Sequence, residues 1–159
     1  MIILGLDPGS VAIGYGLLKK EKKELKLLKS GLFKISSKDK SERLLEIEKS
    51  FLQLIKNNKI DIIAIEKLFF MKNMKTALEV AQSRGVLTLV AAKHKISLLE
   101  FSPSEVKSAV TGYGLADKKA VAKMVAKFLK IDTIKKSDDE TDAIAIALTA
   151  ANNSINIKI

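Results

Sequence analysis

Apolar positions open this chain in short, dense runs. Ile2 to Leu6 is apolar apart from one glycine and predicts a buried strand. Ile13 to Leu18 follows after a tight turn and predicts its hairpin partner. Glu24 to Ile35 gives a third strand, reached through the polar turn KKEKK; links this short favour antiparallel neighbours. The period then changes. Leu44, Ile47, Phe51, Leu54 and Ile55 fall on one face of a helix, with Ser41 as its predicted cap. Asp61 to Ile65 is a further strand, Met74 to Lys93 a long helix and Ser97 to Phe101 a fifth strand. Pro103 opens a short helix, where its missing N–H is not needed. Asp117 caps another, with Ala120, Val121, Met124, Val125, Phe128 and Leu129 turned inward, and Asp139 to Asn152 forms the last. The order βββαβαβααα predicts an α/β domain: a meander extended by two right-handed crossovers into a mixed sheet with helices on both faces.

Against this apolar ground a few acids stand out. Asp7 ends the first strand in LGLDPGS, and Glu66 ends the strand before KLFF. If the two strands are parallel neighbours, both carboxylates emerge at one edge of the sheet, where open α/β sheets place their ligands. Asp139 and Asp142 lie three residues apart on one face of the last helix, which is otherwise apolar nearly all round and must pack on the sheet. Singly, each acid has a plainer explanation: a turn former, an exposed strand end, or charge favoured in a first helical turn. Four converging carboxylates repel one another unless a cation sits among them. Oxygen donors of this kind suit a hard divalent ion, Mg²⁺ or Mn²⁺. Two such ions about 4 Å apart would clamp a phosphodiester, with no histidine base required.

Composition sharpens the choice of substrate. The 159 residues carry 28 basic and 18 acidic side chains, a net +10, and only Arg43 and Arg84 are arginines. A lysine-rich surface suits a polyanion, nucleic acid first, or merely solubility. The sequence has no cysteine and a single histidine, His94, which excludes disulfides, thiol nucleophiles, thiolate zinc sites and His-pair metal sites. No repeat, linker or low-complexity tract divides it, so we expect one domain over 1–159, the last residues 153–159 a loose tail. No apolar run reaches membrane-spanning length and no signal-like segment opens the chain, which predicts a cytoplasmic protein without membrane contact.

The set LGLDPGS…GYG, AIEKLFF…N…A…Q.RG and D..DA.AIA, in this order over Met1 to Ala150, resembles the RuvC family of Holliday-junction resolvases. The resemblance implies an RNase H-like fold with strand order 3-2-1-4-5. It implies a Mg²⁺-dependent homodimeric endonuclease that nicks opposing strands of four-way junction DNA in recombination and repair. It implies Asp7, Glu66, Asp139 and Asp142 as the catalytic, metal-holding acids, and association with the RuvAB branch-migration motor. Lys107 and Lys118, flanking TGYGLAD, match functionally important lysines of the family and would contact DNA near the scissile phosphate. Phe69 matches an aromatic that would stack on an unpaired base, with Phe70 the weaker candidate. Arg84 is a candidate DNA contact or an ion-pair partner. The chain departs from the family at Val11, Ala12 and Ile13, where a basic residue and a threonine are usual, and at Glu140, an added acid that would alter metal affinity or face solvent.

The long helix from Met74 is apolar on more than one face, which suits either a homodimer or burial by its neighbours within one chain. Two other functions compete with the nuclease. One is a non-catalytic DNA-binding subunit using the same basic surface. The other is a nucleotide-binding relative of the sugar-kinase and actin fold, since an acid-Gly-Ser turn can also cradle phosphate; that fold needs a second domain, for which this chain is too short.

Overall fold

The computed structural model describes residues 1–67, 74–133 and 135–153, of which 74 and 75 are described by their backbone alone. The elements run β1 (Ile2–Pro8), β2 (Ala12–Glu21), β3 (Glu24–Lys34), α1 (Lys40–Asn57), β4 (Ile62–Glu66), α2 (Met74–Lys93), β5 (Ser97–Phe101), α3 (Pro103–Thr111), α4 (Lys118–Leu129) and α5 (Asp138–Asn153). The sheet has the order β3-β2-β1-β4-β5. β1 pairs antiparallel with β2 and parallel with β4, and β5 continues the parallel half. This is the RNase H-like arrangement implied by the family resemblance. Asn153, the first residue of the expected tail, still ends α5, and 154–159 lie outside the described residues.

Alternation along the strands builds two cores. Leu4, Leu6, Ile13, Tyr15, Leu17, Ile63 and Ile65 face α1 and α2 and pack with Phe51 and Leu87. Ile3, Leu18, Ile62 and Ala64 face the other way, onto Val106, Val125, Ile144 and Ile146 of α3, α4 and α5. On this second face the central strands carry glycines, and α5 presents alanines. A Cβ on Gly5 would stand 2.1 Å from the Ala143 carbonyl oxygen, and one on Gly14 would stand 2.0 Å from the Asp139 carbonyl oxygen. The helix backbone therefore lies almost directly on the sheet. Residues in such a strand serve close approach rather than side-chain packing.

Two sequence expectations need correction. The cap of α1 is Asp39, not Ser41: its carboxylate accepts from the amides of Ser41 and Glu42, both at 2.9 Å. A charged acceptor also opposes the positive end of the helix dipole, which a serine cannot. Along α4, Val121, Val125 and Leu129 are buried, but Phe128 is 49% exposed. The row at i, i+4 and i+8 meets the core, and Phe128 falls on its flank. Among the described residues, no helix is long and apolar enough to cross a membrane.

The glycine contact yields the first prediction. Gly14→Ala must push α5 away from the sheet, because the clash is with backbone. We expect a loss of about 2–4 kcal/mol, the scale of overpacking a tight core site, measured by urea unfolding. A variant as stable as the parent would show that the helix yields freely.

Candidate active site

Register places the first pair of acids. β1 and β4 run parallel with Leu6 beside Ile65, so the next residues, Asp7 and Glu66, stand side by side at the strand ends. Both follow Gly5 and Ala64 by two positions and so point to the α5 face. The close approach of α5 delivers the second pair. Gly14 lies opposite Asp7 in the hairpin register, and the space over Gly14 is filled by the backbone of Asp139. Asp142 follows three residues later on the same helix. All four carboxylate residues line one cleft of about 380 Å³, together with Pro103, Val106 and Lys107 of α3 and Lys118 and Val121 of α4. Three elements far apart in sequence thus meet at one place.

The cluster is electrostatically loaded. Burial, then the charges of Glu66, Asp142 and Asp139, push the Asp7 pKa up to about 8 from 3.8. Glu66 is raised by burial and by Asp142, against the pull of a hydrogen bond with Asp7 and the charges of Lys118 and Lys107. Asp142 is also raised, burial outweighing its contact with Lys118. Lys118 opposes the acids directly, with Nζ 3.2 Å from Asp142 and 3.4 Å from Asp138. Burial alone would lower its pKa, but these two carboxylates hold it above the ordinary lysine value.

A hard cation fits this donor set chemically: half-buried oxygens, mutually repelling, with one ammonium group already drawn in. The donors are not preassembled into a cage. Among the described residues no group of three acids is arranged to hold a metal ion. Asp7 and Glu66 face each other at the ends of β1 and β4 and Asp142 is turned to Lys118, so loading an ion means replacing that contact.

The remaining candidates divide. Lys107 and Lys118 both line the cleft, as a phosphate contact requires. Phe69 and Phe70 lie outside the described residues. Arg84 does not face outward as a DNA contact would. It donates to the Glu66 carbonyl oxygen and pairs with Glu100, leaving its side chain 14% exposed. Hydrogen bonds from a guanidinium to a carboxylate are charge-assisted and among the stronger kinds, and this one orients the side chain inward. Glu140 neither joins the acids nor faces solvent: it accepts from Ser30 Oγ at 2.6 Å and Lys136 Nζ at 2.7 Å. Burial works against its charge, but Lys136 and Ser30 hold its pKa below the usual glutamate value. After the Asp7 turn, Val11 is 68% exposed and Ile13 is core, so no basic side chain stands there; Arg43 of α1 reaches the turn instead, donating to the Ser10 carbonyl oxygen.

Sequence reading missed Asp138, Ser30 and Lys136. The Lys136–Glu140 pair was signalled by its i,i+4 spacing, whereas Ser30 on β3 left no local trace.

A 3-2-1-4-5 sheet with acids at the ends of β1 and β4 and on α5 defines the RNase H-like nuclease class. The comparisons make the assignment specific. A family model described as crossover junction endodeoxyribonuclease RuvC matches residues 3–150. The protein of that name from Natranaerobius thermophilus is 42% identical over 149 residues, covering 93% of this chain and 92% of its own. Its counterpart from Alkaliphilus metalliredigens is 43% identical over 154 residues, covering 96% and 94%. The solved structure of Thermus thermophilus RuvC superposes with a TM-score of 0.89 at 29% identity, covering 98% of this chain and 96% of that one. A second structure, T. thermophilus RuvC in complex with Holliday junction substrate, gives 0.90 at 28% identity, over 97% and 94%. This chain belongs to the RuvC family of crossover junction endodeoxyribonucleases.

The raised Asp7 pKa predicts a pH-dependent stability. In the folded chain Asp7 holds its proton to about pH 8, whereas the unfolded chain releases it near 3.8. The native state therefore binds the proton more tightly, and stability falls as pH rises from about 4 to 8. Asp7→Asn removes that loss. In chelator at pH 8.5 the variant should melt at least several degrees above the parent, and the gap should close near pH 4. A gap independent of pH would contradict the assignment.

Proposed function

We propose that this chain resolves four-way DNA junctions, nicking two opposing strands by metal-assisted hydrolysis of the phosphodiester. The observation that carries the reading is the convergence of Asp7, Glu66, Asp139 and Asp142 with Lys107 and Lys118 in one cleft of a strongly basic chain. Its family membership and the junction-bound T. thermophilus relative support the choice of substrate.

In this reading the four acids hold Mg²⁺, with Mn²⁺ a substitute. The ion, when bound, supplies Lewis acidity: it offsets phosphate charge and makes water a stronger acid, hence a ready nucleophile near neutral pH. The protein's own groups do the rest. Lys107 and Lys118 draw the backbone into the cleft. Lys118 exchanges its contact with Asp142 for the phosphate, where its charge offsets that developing on the non-bridging oxygens. Water adds to phosphorus, one P–O ester bond breaks, and the departing sugar oxygen takes up a proton.

Two symmetric cuts call for two copies of the site, and a homodimer is part of the proposal. Its interface would use the outer face of α2, where Leu78 and Leu89 are 63% and 54% exposed and Gly85 falls between them at helical spacing. Association with the RuvAB branch-migration motor belongs to the same reading and is tested by co-sedimentation on junction DNA.

The decisive experiment incubates the protein with a synthetic four-way junction and a linear duplex of the same sequence, with and without Mg²⁺. We expect paired, symmetric nicks confined to the junction and dependent on the ion. Glu66→Gln or Asp142→Asn should slow nicking about a thousandfold while junction binding in chelator persists, and Lys118→Ala about a hundredfold. Equal cutting of the duplex, or undiminished activity in the acid variants, overturns the reading.

The assembly is tested separately. Leu89→Lys should convert a sedimenting dimer to monomer and uncouple the paired cuts. A parent protein that sediments as a monomer at micromolar concentration on its own and on the junction would contradict the dimer.

A further inference from the structure

The chain uses lysine for nearly all its positive charge, yet keeps arginine at Arg43 and Arg84. These two side chains do related things at two places. Arg84, on α2, donates one terminal nitrogen to the carbonyl oxygen of Glu66, the last residue of β4, and its other to the Glu100 carboxylate on β5. Arg43, on α1, donates to the carbonyl oxygen of Ser10 in the turn that follows β1, and the same nitrogen stands 3.7 Å from Glu79 on α2. Their side chains are only 14% and 18% exposed. Arg84 therefore ties a main-chain carbonyl at the end of an acid-bearing strand to a carboxylate through two nitrogens, whereas Arg43 holds a carbonyl just past the end of β1 through one nitrogen, with Glu79 near enough only for an ion pair.

We infer that Arg43 and Arg84 are positioning residues that fix the termini of β1 and β4, and hence the spacing of Asp7 and Glu66 for a divalent ion. The inference rests on the metal-site reading above. The physical reason is the geometry of the donor. A guanidinium is planar, permanently charged and carries several N–H groups in a fixed fork, so it bridges a carbonyl and a carboxylate without choosing between them. A lysine ammonium keeps the charge but sits on a longer-ranging, flexible stem and is more strongly hydrated. The Glu66 carbonyl carbon is bonded to the Cα that carries the Glu66 side chain, so holding that carbonyl restricts the direction from which the carboxylate reaches. Neither arginine touches the cleft itself; its lining residues include neither. Both instead close onto α2, Arg84 from within it and Arg43 through Glu79. One helix thereby bears on both strand ends.

The test separates positioning from charge and from folding. Arg84→Lys and Arg43→Lys keep the charge; Glu100→Gln keeps the carbonyl bond and weakens only the carboxylate arm. Each variant is titrated with Mn²⁺ in the absence of DNA, read by electron paramagnetic resonance of the free ion, alongside its thermal midpoint and its affinity for four-way junction DNA in chelator. We expect Arg84→Lys to weaken Mn²⁺ binding about tenfold and Arg43→Lys severalfold, the range seen when groups supporting a metal's ligands are changed. Folding and metal-free junction affinity should be retained. Glu100→Gln should shift Mn²⁺ binding in the same direction by less. Mn²⁺ affinity within twofold of the parent in Arg84→Lys and Arg43→Lys overturns the inference. If Arg84→Lys fails to fold, an unaltered Glu100→Gln overturns the inference instead; if Arg43→Lys fails to fold, an unaltered Glu79→Gln does. A parent chain that binds Mn²⁺ but cuts no junction counts against the proposed function and leaves this inference to the same titration.

Discussion

The candidate active site depends on how closely one helix lies against one sheet. α5 rests on a sheet face whose central strands present Gly5, Gly14 and Gly16, and it answers with Ala143 and Ala147 and the backbone beside Asp139. Ordinary strand side chains would lift the helix by several ångströms, and Asp139 and Asp142 would rise with it. Asp7 is paired in register with Gly14, so the missing side chain at position 14 opens the space beside the acid that the helix must reach. The packing that closes the second core and the geometry that gathers the carboxylates are one contact.

That contact brings together groups that repel. Asp7 answers by holding its proton far above the ordinary aspartate range, and Asp142 by drawing in Lys118. Both are what a half-buried carboxylate does when no stronger cation is at hand. The strain is tolerable because the surrounding core is large and apolar on both sides of the sheet, a common division between a stable scaffold and a destabilised site. It also explains how an acidic pocket suits a basic protein. In the proposed nuclease the lysines would attract the polyanion, while the acids would admit a phosphate to the cleft only with a divalent ion between them.

Much of this was legible in the sequence because it was written in local pattern. Apolar runs and their change of period, with Pro103 and Asp117 as helix starts, placed the described elements in order, and an acid terminating an otherwise apolar strand is conspicuous at Asp7 and Glu66. The spacing of Asp139 and Asp142 on an apolar helix required that they face the sheet. What stayed hidden was tertiary. For Arg84 the ion pair was one of two expectations, but its partners, the ends of β4 and β5, left no local trace. Glu140 looked like a spare acid because Ser30, its partner, lies 110 residues away. Phe128 fitted the helical stripe but sits at its edge, where neighbouring helices no longer cover it. Asp39 and Ser41 both fit a cap, and only the amide contacts decide between them.

The organisation of α2 connects these levels. Its inner face buries Leu87, Val90 and Ala91 under the sheet; its Arg84 bonds the Glu66 carbonyl at the end of β4, and its Glu79 stands 3.7 Å from Arg43, which reaches the turn after β1. Its outer face leaves Leu78 and Leu89 in solvent. In the proposed homodimer that outer face is covered, so the helix that would orient one copy against the other also bears on the termini of both acid-bearing strands. A shift or tilt of α2 on assembly would be passed to Glu66 through a charged, two-point contact rather than through deformable side-chain packing. The separation and facing of two metal sites in the dimer would then follow from the same rigid element that sets the spacing of acids within each, a coupling suited to an enzyme that must make two cuts in matched positions.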